Sequence, residues 1–118
     1  MEERDETIHW VATVGSTTER GGRIVGASSE GEFDGFQAAL VGDVVVYDDG
    51  TESTIIDGSG YAATWANTPF ALVGSSLSNG DKIVTTPQSA FGIVVKDGEK
   101  IPGLFERGFV PADRPVRG

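Results

Sequence analysis

The segment Gly42–Gly58, GDVVVYDDGTESTIIDG, brings Asp48, Asp49 and Glu52 close together in the chain. Paired carboxylates can run glycoside hydrolysis when burial keeps one protonated, and clustered carboxylates can hold Ca²⁺ through oxygen ligands. Neither chemistry fits this spacing. Adjacent acids on one turn stay open to water, and DDGTE does not follow the spacing of an EF-hand loop. The flanking residues give the acids a different job. Val44, Val45, Val46 and Tyr47, then Thr54, Ile55 and Ile56, favour strands, and Gly50 supplies the positive φ of a tight turn. The acidic segment is therefore predicted to be a hairpin. Ser16, Thr17, Thr18 and Glu19 before Gly21-Gly22 have some features of a phosphate loop, but the Walker lysine is missing and no helical pattern follows.

The rest of the chain sets the scaffold for these turns. Its 118 residues make one domain, and 17 glycines scattered through β-branched runs point to many tight turns in an all-β structure. A net charge of −9 without a basic cluster argues against nucleic acid or an anionic membrane as partner. The absence of cysteine excludes disulfides and thiolate metal sites. The charged start MEERDE and the lack of a long apolar run predict synthesis in the cytoplasm without a signal peptide and without stable membrane insertion.

Periodicity is that of short strands. IHWVATVG, GRIVG, AALVGDVVVY, STIIDG, YAATWA, FALVG, DKIVTT and FGIVVKDG are rich in Val, Ile, Thr and aromatics and are separated by Gly, Asn or Asp. Two of these regions repeat. VGSTTERGGRIV at 14–25 aligns without a gap to VGSSLSNGDKIV at 73–84, with Val14/Val73, Gly15/Gly74, Ser16/Ser75, Gly21/Gly80, Ile24/Ile83 and Val25/Val84 identical. VGDVVVYDDGTESTII at 41–56 is a longer third relative. Repeated turn-and-strand arms imply a pseudo-threefold body, and a monomer of that shape can seat on a threefold-symmetric partner.

VGSTTERGG, QAALVGDVVVY, IIDGSG and PFALVGSSLSNGDKIV, in this order and spacing, resemble the PAAR family over roughly residues 11–85. That resemblance implies a compact cone of β-hairpins whose broad base caps the trimeric valine-glycine-repeat spike of a type VI secretion system or related contractile injection machine. It implies one non-enzymatic copy per trimer, delivered with the spike on firing. Residues 1–8 then form an N-terminal tail, 9–85 the PAAR-like domain, and 86–118 an extension. Within the extension, Asp97-Gly98 is expected to turn one more hairpin. Phe91, Ile93, Val95, Ile101, Leu104 and Phe105 are expected to pack on the cone, with an adaptor surface for effectors as the functional alternative. The three related arms suggest Leu40, Val45, Leu72 and Leu77 as candidate contacts at the broad end.

Many relatives hold the apex with zinc on histidines and a cysteine. Here the corresponding places carry Arg20 and Asn79, and the middle arm reads Tyr47-Asp48-Asp49-Gly50. The single histidine, His9, lies upstream of the first motif and lacks partners for a tetrahedral set. No zinc or other cofactor is expected, and Arg20, Tyr47, Asp49 and Asn79 replace the ligands. Two substitutes for the metal are open, a charge-assisted bridge from Arg20 to Asp48 or Asp49 with Asn79 or Gly50 adding hydrogen bonds, and extra packing from residues 86–105. Without the bridge the three turns are independent and face solvent. The rival function is a small carbohydrate-binding domain that uses Trp10, Tyr47, Tyr61 and Trp65 as aromatic platforms.

Overall fold

The structure is a computed structural model that describes residues 6–96 and 98–107. Its strands are short, β1 (Glu6–Trp10), β2 (Arg23–Ile24), β3 (Glu32–Phe33), β4 (Phe36–Gln37), β5 (Val44–Val46), β6 (Glu52–Thr54), β7 (Thr64–Trp65), β8 (Thr68–Pro69) and β9 (Gly92–Lys96). A 3₁₀ turn at Gly60–Ala62 is the only helical element among the described residues. The all-β expectation is met.

The repeat seen in the sequence is a repeat in space. Each arm opens on a glycine with positive φ, Gly15 at 96°, Gly42 at 101° and Gly74 at 103°, a region open to residues without a Cβ. The next side chain closes each opening turn. Ser16 Oγ accepts from Thr13 N at 3.0 Å, Asp43 Oδ2 from Leu40 N at 2.8 Å, and Ser75 Oγ from Leu72 N at 2.9 Å. The far end of each arm turns at Gly21, Gly50 or Gly80, whose N–H groups donate to the carbonyls of Thr18, Tyr47 and Leu77. In the middle arm this far turn is the β5–β6 hairpin, with Val45 opposite Ser53. The acidic segment is a hairpin, as its residue types predict.

The arms join in a closed ring. Ala12 N donates to Ala71 O at 2.8 Å, Ala71 N to Ala39 O at 2.9 Å, and Ala39 N to Ala12 O at 2.9 Å. A second ring runs from Val14 N to Gln37 O, Val41 N to Pro69 O and Val73 N to Trp10 O. Every strand in such a ring has a neighbour, so the backbone is satisfied without a free sheet edge at its centre. Ala12, Ala39 and Ala71 pack with Ile24, Ile55, Ile83, Val45 and Leu77 on the side of the arms. Val11, Ala38, Leu40, Phe70, Leu72 and Ile93 form a second cluster on the opposite, basal side.

Three antiparallel ribbons lie on that basal side. β3–β4 turns at Asp34-Gly35 and β7–β8 at Ala66-Asn67, all four residues at positive φ. The third ribbon is β1–β9, from Glu6 opposite Lys96 to Trp10 opposite Gly92, made by two segments far apart in the chain. This corrects two expectations. Residues 6–8, assigned to a tail, are strand. The hairpin of the extension is also different: Glu99 N donates to Lys96 O in a turn, but among the described residues β9 ladders with β1 and not with those that follow it. Asp97 itself lies outside the described residues. The following residues fold back instead, with Phe105 N donating to Gly58 O at 2.7 Å and Tyr61 N to Pro102 O at 3.0 Å. Gly60 allows this docking, since a Cβ there would fall 2.4 Å from Pro102 O, whereas Gly58 lets its backbone pass close to Phe70, where a Cβ would fall 2.1 Å from Phe70 O. Phe91, Ile93, Val95, Ile101, Leu104 and Phe105 all join the basal cluster, the packing expected from their apolar spacing.

Candidate functional site

The far turns of the three arms meet at one apex. Arg20 Nη1 donates to Asn79 O at 3.1 Å, linking the first and third arms, and Asn79 Nδ2 donates to Tyr47 Oη at 3.1 Å, linking the third and second. At their centre is Asp81, whose side chain is fully buried. Its Oδ2 accepts from Thr18 Oγ1 and Tyr47 Oη, each at 2.6 Å, while Oδ1 accepts from Lys82 N at 2.8 Å and Arg20 N at 3.1 Å. Donors from all three arms thus converge on one carboxylate. Asp81 N in turn donates to Asn79 Oδ1 at 3.0 Å.

The Gly21-Gly22 pair has two separate functions here. Gly21 takes φ 91° at the turn. Gly22 leaves room, because a Cβ there would sit 2.4 Å from Val45 Cγ1 and 2.8 Å from Tyr47 Cε2. Gly22 aligns with Asp81 in the repeat. One arm therefore offers a gap at the position where another offers a carboxylate, and the Tyr47 ring packs over that gap as its hydroxyl reaches Asp81.

Burial pushes the Asp81 carboxyl up, but the hydrogen bonds from Thr18, Tyr47, Lys82 N and Arg20 N outweigh it and hold the group below its ordinary value of 3.8. Tyr47 moves the other way: burial, then its bond to Asp81, raise it above 10.0. Asp49 is held low by the side chain and backbone N–H of Thr51, which donate to its Oδ1 at 2.7 and 3.0 Å.

The expected Arg20 bridge to Asp48 or Asp49 is not formed. Arg20, Tyr47, Asp48 and Asp49 line one open recess of about 330 Å³, so the fold does bring them together. Within it Asp49 is satisfied by its own turn and the guanidinium reaches the Asn79 carbonyl. The carboxylate that organises the apex is Asp81, which residue-by-residue reading passed over. Its signal was the Gly22/Asp81 difference, one of several in the repeat, which sets a carboxylate opposite a glycine.

The side chains at the family's ligand places do not fit zinc. Arg20 is a cation, the Asn79 amide oxygen is taken by Asp81 N–H, Tyr47 is a phenol held protonated, and Asp49 faces Thr51. Among the described residues no group of His, Cys, Asp or Glu is placed to hold a metal. His9 lies on β1 with its ring edge-on to Phe105, centroids 4.9 Å apart, and burial lowers its pKa below 6.5.

Leu40, Val45, Leu72 and Leu77, expected at a partner surface, are interior residues at 5% exposure or less. Each follows or precedes an arm turn and points into one of the two clusters. The aromatic residues of the carbohydrate alternative are split, with Tyr47 at the apex and Trp10, Tyr61 and Trp65 on basal elements. Tyr47 is therefore not part of a platform with the other three.

Residues 14–85 match the family described as PAAR motif, and the chain belongs to that family. Comparisons with curated proteins and with solved structures found no match. No helix among the described residues is long and apolar enough to cross a membrane.

Proposed function

We propose that this chain is a non-enzymatic tip that caps the trimeric valine-glycine-repeat spike of a type VI secretion system or related contractile injection machine, one copy per trimer, and leaves the cell with it. The observation that supports this reading is the closed ring of Ala12, Ala39 and Ala71, which gives one chain three equivalent strand arms. A single copy can then meet a homotrimer through three similar contacts. Capping would also cover the terminal strands of the spike, whose backbone groups are otherwise unpaired.

The contact surface belongs on the basal ribbons. Each carries large apolar groups that face solvent: Ile8 and Val94 on β1–β9 at 47% and 45% exposure, Phe36 on β3–β4 and Trp65 on β7–β8 at 38% each. Effector or adaptor attachment falls to the outward side of the segment after β9, whose inward side is used in the basal cluster. The test is co-purification with the spike trimer. Single polar substitutions at Ile8, Phe36 or Trp65 should weaken capture modestly, and Ile8→Glu, Phe36→Glu and Trp65→Glu together should abolish it while the melting temperature stays within a few degrees. Unchanged capture by the triple variant would move the interface elsewhere.

A further inference from the structure

We infer that the Asp81 carboxylate is the cross-link that closes this apex, taking over without metal the task of tying the three arms together. The inference concerns the tip and stands whether or not the base binds a spike. An apical ion joins arms because one centre accepts several donors at fixed angles. Asp81 has the same connectivity with the polarity reversed: a central anion receives N–H and O–H donors. Thr18 Oγ1 and Arg20 N come from the first arm, Tyr47 Oη from the second and Lys82 N from the third, at 2.6 to 3.1 Å.

The hub has a supporting layer. Thr18 Oγ1 also accepts from Gly22 N at 2.8 Å, which orients its proton toward Asp81. Asn79 accepts from Asp81 N and donates to Tyr47 Oη, so the phenol is free to give its proton to the carboxylate. The charged groups around the hub are the exposed side chains of Arg20, Lys82, Glu19, Asp48 and Asp49, and hydrogen bonds to the buried carboxylate come from neutral groups. A buried carboxylate with its acceptor sites filled in this way cross-links strongly, whereas removal of one partner strands the others.

The experiment is a set of thermal melts on the full chain with and without EDTA, together with amide exchange at Arg20 and Lys82. Asp81→Asn should lower the melting temperature by about 10 °C or more, and Thr18→Val and Tyr47→Phe by about 5 °C each. Combining Thr18→Val with Asp81→Asn should add little beyond Asp81→Asn, since both cut the same bond. Asp48→Asn, the charge-matched exposed control, should leave the melt unchanged. Should Asp81→Asn fail to fold, Thr18→Val and Tyr47→Phe still decide: each should speed exchange of the Arg20 and Lys82 amides about tenfold. EDTA should change none of these values. Additive effects of Thr18→Val and Asp81→Asn, unaltered exchange in the hydroxyl variants, or a melt that EDTA lowers together with stoichiometric zinc would overturn the inference.

Discussion

Gly22 shows how little at the apex could be read from residue types. In the sequence it is half of a glycine pair before a strand, and only the packing of Val45 and Tyr47 across it explains why the second glycine is needed. Gly22→Ala should therefore destabilise the protein by about 1–3 kcal/mol, the cost of overpacking a filled site, as read from chemical denaturation. Gly26, where a Cβ meets nothing within 4 Å, should accept Ala with little change. Arg20 is exposed and its guanidinium makes one bond to a carbonyl, so Arg20→Ala should cost only about 0–1 kcal/mol. Asp81 was hidden for a physical reason: an aspartate after Asn-Gly looks like a solvent-facing turn residue until three arms are brought together around it. Its depressed pKa fixes the sign of the acid response. The stabilisation is fully present above 3.8, the unfolded value, and is lost as pH falls through the lower folded value. Acid titrations of stability should show a steep fall below pH 3.8 that is much shallower in Asp81→Asn, with Asp49 contributing to the same window.

At the level of elements, the arms were legible and the ribbons were not. Glycines at 15, 42 and 74 and again at 21, 50 and 80 mark turns that a Cβ would strain, and such positions leave a trace in the sequence. The Asp34-Gly35 hairpin also carried a signal, an Asp-Gly pair between aromatics, that strand patterning alone overlooked. The β1–β9 ribbon had none, because its strands are joined by no turn and their pairing depends on the whole ring bringing both ends to one place. Truncation after Thr86 removes β9, including buried Ile93, and should cost at least about 3 kcal/mol or prevent folding. His9 tests the same ribbon more gently. Its folded pKa is lowered by burial, so the associated stability is complete above 6.5 and declines as pH drops through 6.5 toward the folded value. The melting temperature should show a small step in that range, ahead of the carboxylate transition, that His9→Gln removes. No step in the parent protein would mean that the ring titrates alike in the folded and unfolded chains.

For the whole molecule, the three-membered hydrogen-bonded ring turns an asymmetric chain into a body with nearly equal arms. The symmetry is incomplete in ways that matter for docking. Two ribbons close at tight turns, while the third is longer, from Glu6 to Trp10, and is built from distant parts of the chain. The sequence made the threefold body legible through its internal repeat, but it misplaced the partner surface. Leu40, Val45, Leu72 and Leu77 sit beside the repeated turns in the sequence, and only the two-cluster packing shows that they point inward. The central claim, one pseudo-threefold chain on one homotrimer, is tested most directly by native mass spectrometry of the complex with a valine-glycine-repeat spike protein from the same genome. The account predicts three spike chains with one copy of this chain, and a complex with three copies of each, or no complex at all, would contradict it.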